Sequence, residues 1–312
     1  MADGEKRMHF ANFNITFGKD EDPMLTHFED IIFPAFCSGI KRSIKGKRPI
    51  FYVDDVEIKF YNNELVMVGN YIKDAEYDIH TTIQNGELKS TPITVPTAPY
   101  SRFLIFLKNH RMILVRNEAQ SPDIRSFQAT IREIVNEFIH RNNRDEKNKE
   151  KQFPPAVINV VDMHLKKEIE VVLKDVQKIN WLRLRFFPLN NDINPIPVAE
   201  NIDKEMKQLG CKRAAIQFRK PESKREINNL IACSSGLAES TMEVIDSNGN
   251  KTTIKDQNFK SSTTIPLEGD ITPRDDEYFI EQGKKNEMMN VVSVENLKIY
   301  KRFKMAIKKL MQ

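Results

Sequence analysis

The sequence predicts an α+β protein in two domains, an N-terminal antiparallel meander with packed helices and a C-terminal mixed α/β domain ending in a basic amphipathic helix. Three observations carry this. At 312 residues the chain exceeds the size at which single cores stop growing, so two domains of about 150 residues each are the natural division. The first half strings strand-like runs between asparagine turns, whereas the second alternates strands with helices. Between them lies Arg141 to Lys151, RNNRDEKNKEK, a tract without apolar residues that is closed by Pro154-Pro155. The expected layout is therefore an α+β domain over 1–141, a charged linker over 142–155 and an α/β domain over 156–312.

Taken in order, His9 to Phe17 alternates like a strand. Asp22-Pro23 then leads into a helical pattern with Leu25, Phe28, Ile31, Ile32 and Phe36 at spacings of three and four, which Pro34 should kink or divide. Strand-like runs follow at Ile50 to Phe60, Glu64 to Tyr71, Tyr77 to Ile83, Glu87 to Val95, Arg102 to Leu107 and Met112 to Val115. Asn62-Asn63, Asn85-Gly86 and Asn109-His110 are turn dipeptides between them. Ser121-Pro122-Asp123 opens a helix, with serine free to cap and proline at the first helical position, and Ile124, Phe127, Ile131, Ile134, Val135 and Phe138 give it one apolar face. The second half reads as strand Val157 to Val161, helix Lys166 to Leu173, strand Ile179 to Phe187, helix Ile202 to Leu209, strand Ala214 to Phe218 and helix Arg225 to Leu237. A hairpin turning at Asn248-Gly249, a loop-rich stretch from Gly269 to Lys285 and a final helix from about Ser293 to Met311 complete the chain.

Composition excludes several classes. Hydrophobic residues at 40% and charged residues at 29% suit a globular chain with a heavily solvated surface. Cys37, Cys211 and Cys233 are odd in number and not in CxxC pairs, which argues against a disulfide framework or zinc module and for a reducing compartment. The start, MADGEKRMHF, lacks the apolar run of a signal peptide, and no stretch approaches the roughly 20 apolar residues of a membrane span. A cytoplasmic protein without direct membrane insertion is expected.

The net charge of +4 is small, so the distribution of charge matters more than its sum. Lys41, Arg42, Lys45, Lys47 and Arg48 place five cations in eight residues, with Gly46 among them permitting close backbone approach to a phosphate. Further pairs stand at Lys212-Arg213, Arg219-Lys220 and Lys224-Arg225. The final helix puts Lys298, Lys301, Arg302, Lys304, Lys308 and Lys309 opposite a stripe of Val294, Leu297, Tyr300, Phe303, Ile307 and Leu310. Such segments suit contact with a nucleic-acid backbone, and they equally suit a solvated surface; the helix also fits an anionic membrane. No helix-turn-helix, zinc finger or RNP-like aromatic pair accompanies them, so backbone contact without base reading is the mode expected.

Catalytic signals are sparse. In Asp54-Asp55-Val56-Glu57-Ile58-Lys59, strand alternation puts Asp55, Glu57 and Lys59 on one face, an arrangement that resembles the metal-binding acids and lysine of restriction-type nucleases. Ordinary charge pairing on an exposed strand accounts for it as well, and no upstream acidic partner is identifiable. The six histidines form no ligand pair, and neither a P-loop, a dinucleotide glycine fingerprint nor a serine elbow is present, so no metal and no cofactor are expected.

YSRFLIFLKNHRMILVRNE leading through SPDIRSF into a helix, then FRKPESKREINNLI, a hairpin around MEVIDSNGNKTTIKD and a charged helix from VVSVENLKIYKRF, resembles the RexA phage-exclusion family over about residues 95–312. The DNA-binding KwaB proteins of the Kiwa defence system are a more distant likeness. The resemblance implies a homodimeric, non-sequence-specific binder of double-stranded DNA in bacterial antiphage defence by abortive infection. It would sense phage DNA or replication intermediates and signal to a membrane-protein effector partner. A metal-dependent nuclease effector and an adaptor recognising a phage protein are the alternatives. The resemblance supplies no catalytic residues.

Overall fold

The computed structural model describes residues 4–44, 46–164, 166–187, 197–259 and 262–311. The chain opens with the long strand β1 (Glu5–Phe17) and the two-residue β2 (Asp22–Pro23), then passes through two short turns of 3-10 and π type into α1 (Phe33–Cys37). Pro34 lies in the first turn of α1, where its missing N–H costs nothing, so the predicted helical pattern is divided as expected.

Next come β3 (Arg42–Ile44), β4 (Lys47–Tyr61), β5 (Glu64–Gln84), β6 (Glu87–Thr97), β7 (Tyr100–Phe106) and β8 (Arg111–Arg116). Positive φ at Asn62 and Asn63 (43° and 67°), and at Asn85 and Gly86 (54° and 82°), makes the tight turns those dipeptides predict. The runs expected as separate strands at Glu64 to Tyr71 and Tyr77 to Ile83 are one 21-residue strand. Nothing between them breaks an extended backbone, and β5 simply exchanges partners, pairing with β4 and β7 up to Asp74 and with β6 from Ala75 onward.

Helix α2 (Ile124–Asp145) buries Ile124, Phe127, Ile131, Ile134 and Val135. Its cap is Asp123, whose carboxylate accepts the Ser126 N–H at 2.8 Å; Ser121 instead accepts the Glu118 N–H at 2.9 Å, because the extended backbone at Asp123 leaves Pro122 outside the helix.

The second half continues through β9 (Ala156–Asp162), α3 (Lys166–Lys174), β10 (Val176–Phe186), α4 (Pro197–Leu209), β11 (Ala214–Arg219), α5 (Lys224–Cys233), β12 (Ala238–Asp246), β13 (Lys251–Lys255), β14 (Ser262–Pro266), α6 (Asp276–Lys284) and α7 (Val294–Lys308). A ten-stranded antiparallel sheet runs β14-β1-β8-β7-β5-β4-β3, with β2 and β9 also on β1 and β6 on β5; a four-stranded antiparallel sheet runs β11-β10-β12-β13. The chain is thus α+β, with two sheets and separate cores.

Those cores do not follow the expected division at 142–155. Beyond that tract β9 and β14 return to β1, α6 covers one face of the large sheet, and α7 joins α1 and α2 on the other. The tract itself is built into the fold: Asn143 and Phe153 exchange hydrogen bonds of 2.9 and 2.7 Å, and Phe138 stacks on Phe153. A reciprocal amide pair and a ring contact hold β9 close to α2, which no reading of local polarity foresees.

Two details follow from this wrapping. The stretch predicted as loop from Gly269 to Lys285 holds α6, whose Phe279 and Ile280 are buried against the large sheet. A Cβ on Gly283 would stand 2.2 Å from the Ile113 side chain, so only glycine allows α6 to lie this close. The stripe of α7 also serves the core: Ile307 is buried, and the buried Tyr300 hydroxyl accepts the Leu65 N–H at 2.9 Å. Among the described residues no helix is long and apolar enough to cross a membrane.

Candidate nucleic-acid interface

Strand β10 explains how the small sheet comes to have one dry and one charged face. In Trp181-Leu182-Arg183-Leu184-Arg185-Phe186 the period of two sends Leu182, Leu184 and Phe186 into a core with α3, α4 and α5, each about 1% exposed. Trp181, Arg183 and Arg185 therefore share the opposite face. Register adds Arg219 on β11 beside Trp181, and Thr241 and then Lys255 across β12 and β13 from Arg183.

That face looks across a cleft of about 520 Å³ at α2 and β9. Arg125, Gln128 and Arg132, spaced three and four apart, line the α2 wall, and Arg213 closes one end. Six basic side chains (Arg125, Arg132, Arg183, Arg185, Arg213, Lys255) meet three acids, Asp162, Glu239 and Asp256. Glu239 and Asp256 are engaged within the fold. Glu239 pairs with Arg185, while Asp256 accepts the Ser240 N–H and hydroxyl at 2.8 and 2.9 Å and pairs with His164 at 3.0 Å. Among the described residues Arg183, Arg213 and Lys255 have no acidic partner.

The cleft continues at both ends. A hollow of about 440 Å³ shares Arg132 and Arg213 with it, and another of about 490 Å³ shares Arg125 and Asp162 and adds Arg7, His9 and Arg116. Crowded positive charge leaves its mark along this track. Burial and the neighbouring Arg213 hold the Arg132 guanidinium below its ordinary pKa, against a weaker pull from Glu239. At the far end burial, Arg116 and Arg7 push His9 down to about 4 against an opposing pull from Asp123, which lines the same hollow. An anion lying in the cleft would offset the repulsion between Arg132 and Arg213.

The basic residues singled out in the sequence divide sharply. Lys41, Arg42, Lys47 and Arg48 sit on the β3–β4 edge of the large sheet, away from the edge where β9 and β14 join β1. Arg42 donates to the Thr130 hydroxyl at 2.9 Å and covers the Phe51 ring, Lys41 lies 4.4 Å over Tyr52, and Arg48 pairs with Asp74 at 3.3 Å and with Glu76, so most of this cluster is engaged within the fold. Lys45 lies outside the described residues. Arg213 and Arg219 reach the small sheet's charged face, whereas Lys212 stands 3.4 Å from Glu21. Lys220, Lys224 and Arg225 are exposed around the turn from β11 into α5, beyond the Trp181 end of the cleft. On α7, Lys304 binds the Asn63 carbonyl at 2.9 Å and Lys308 covers Phe60 at 4.6 Å.

Asp55, Glu57 and Lys59 are brought together, but around a cation. A bulge between Asp54 and Glu57, with Asp55 at φ 52°, turns both carboxylates toward Arg102, at 3.0 and 3.6 Å. Arg102 is fully buried and forms a bidentate pair with the buried Asp276 at 2.9 and 2.8 Å; Lys59 adds contacts to Glu57 at 3.1 Å and Asp276 at 2.8 Å. The third acid beside this pair is Asp276, more than 200 positions further along the chain, and like the other two it serves Arg102. No group of three or more His, Cys, Asp or Glu able to hold a metal occurs among the described residues.

Trp181, Arg183, Arg185, Arg125, Arg132 and Lys255 escaped the sequence reading, which sought runs of adjacent charge. Their signal was alternation: Arg-Leu-Arg within a strand puts two cations on one face as surely as Lys-Arg puts two in one loop. Comparison with family models, with curated proteins and with solved structures finds no match for the chain.

Proposed function

We propose that the protein binds double-stranded DNA without reading its sequence, as the sensing component of an antiphage defence system. The observation that carries the DNA-binding part is the excess of arginine and lysine over acids on the cleft walls, where Arg183, Arg213 and Lys255 have no acidic partner among the described residues, with Arg7 and Arg116 in the adjoining hollow. Planar guanidinium groups suit bidentate contact with phosphate oxygens, and a track of them positions a backbone without selecting bases. The exposed cations at Arg219, Lys220, Lys224 and Arg225 extend the same field toward the surface, whereas Lys47 stands on the far edge of the large sheet. The setting in phage exclusion, the homodimer and the membrane-protein effector partner come from the resemblance to RexA-like proteins; light scattering on the purified chain reads the dimer, and a monomer mass overturns that part.

Mobility shifts in a salt series test the binding. A shift of mixed-sequence duplex at about 50 mM salt, falling steeply as salt rises, is expected. Arg183→Ala should weaken binding equally across sequences and flatten the salt slope by about one unit for each phosphate that is no longer neutralised. Absence of any shift on duplex at about 50 mM salt sinks the proposal.

A further inference from the structure

The geometry points to a more selective ligand for the cleft along β10: an unpaired DNA strand, with a base stacked on Trp181 and its phosphates on the flanking arginines. This rests on the DNA-binding reading above and specifies which form of DNA the cleft itself takes.

Size argues first. A space of about 520 Å³ falls within the roughly 300–1,000 Å³ of ordinary small-ligand pockets, so it suits one or two nucleotides, and a duplex can only lie across its rim. Shape argues next. Residues two apart on a strand are separated by about 6.7 Å, so Trp181, Arg183 and Arg185 form a ladder whose step is close to one nucleotide of an extended single strand. An open antiparallel sheet face offering an aromatic ring among cations is a surface that takes unstacked bases on the ring and phosphates on the charges.

The position of Trp181 completes the case. Phosphate contact alone requires no aromatic in the cleft, yet the one tryptophan of the chain stands in it, half-buried on the charged face of β10. Its cross-strand neighbours are Arg219 on one side and Glu243 on the other. Glu243 is bound by Lys251 at 3.0 Å and by Asn180 at 3.1 Å and also hydrogen-bonds the Trp181 side chain, so the acid beside the ring is already paired with a lysine and anchors the indole edge, while Arg219 and Arg183 lie on the same sheet face. The hydrophobic need of the small domain is met on the other face, where Leu182, Leu184 and Phe186 are buried, so the core does not require the indole.

Because Trp181 is the chain's sole tryptophan, its emission reports the cleft directly. Full-length protein at about 50 mM salt is titrated with a 12-residue oligothymidylate and, separately, with a blunt mixed-sequence duplex. Saturable quenching by oligothymidylate, larger than that by duplex, is expected. Trp181→Ala should weaken oligothymidylate binding by roughly ten-fold or more, the loss of one stacked base, and by a smaller factor for duplex. Arg183→Glu, an exposed change on the same face, should weaken both. Oligothymidylate binding that leaves the emission unchanged, or that Trp181→Ala leaves within two-fold, overturns the inference while duplex binding stands. Failure of both probes to bind overturns the DNA-binding reading itself and this inference with it.

Discussion

The two sheets are built by the same antiparallel pairing, yet they treat arginine in opposite ways. On the body of the large sheet, short of the exposed arm formed by β6 and the end of β5, both faces are covered, by α1, α2 and α7 on one side and α6 on the other, and Arg102 is fully buried with its charge answered by Asp276, Asp55 and Glu57. On the small sheet α3, α4 and α5 pack on one face, and on the other Arg183 has no acidic partner among the described residues. The comparison separates structural charge from charge available to a ligand. A buried guanidinium must be neutralised within the fold because desolvation is costly, whereas a cleft can hold surplus charge while water still reaches it.

The largest effect should come from disturbing the buried pair. Asp276→Ala leaves Arg102 buried without its bidentate partner, and urea unfolding should show a loss of about 3–5 kcal/mol. A loss below about 1 kcal/mol would break the distinction between the two sheets, since that is the size expected of a surface pair.

Smaller effects follow from two histidines that respond to pH in opposite directions. His9 is held down to about 4 by burial and by Arg116 and Arg7, so its neutral form favours folding: stability is full above the unfolded value of 6.5 and falls as pH drops toward 4. Between pH 7 and pH 5 the urea midpoint should fall by the equivalent of about 2 kcal/mol from this group alone, and His9→Leu should flatten that slope. For His164 burial pulls downward, but Asp256 at 3.0 Å, helped by Asp162, outweighs it and the value is raised. Its contribution is present below 6.5 and lost as pH rises through the raised value, so His164→Asn should flatten the neutral-to-alkaline side instead.

The smallest expected change in stability is at Arg183. Truncation to alanine should shift unfolding by less than about 0.5 kcal/mol, because an exposed side chain with no acidic partner holds little of the fold together. With a weakened mobility shift beside it, this result assigns stability to Arg102 and binding to Arg183.

Much of the local architecture was legible in the sequence because its causes are local. Asn62-Asn63 and Asn85-Gly86 turn where they should since those residues tolerate positive φ, and α2 follows from a single apolar stripe. The site was legible only in part. Arg213 and Arg219 were found as adjacent basic pairs, but the cluster at Lys41 to Arg48 has most of its charge engaged by Tyr52, Thr130, Asp74 and Glu76. Charge density along the chain records how many cations a segment carries, and it says nothing of which acids or rings the fold brings to meet them.

By itself, then, the sequence determined the α+β class, the hairpin turns, the stripe of α2 and the alternation that gives β10 one apolar and one cationic face. Those features depend on neighbours within a few residues, where periodicity and backbone preference act. The tertiary structure alone decided that β9 and β14 pair with β1, that Asp276 neutralises Arg102, and that α2 stands opposite Trp181 and Arg183 to make a cleft. Each of these joins segments far apart in the chain, and the choice among possible partners is made by burying apolar area and matching charge over the whole molecule.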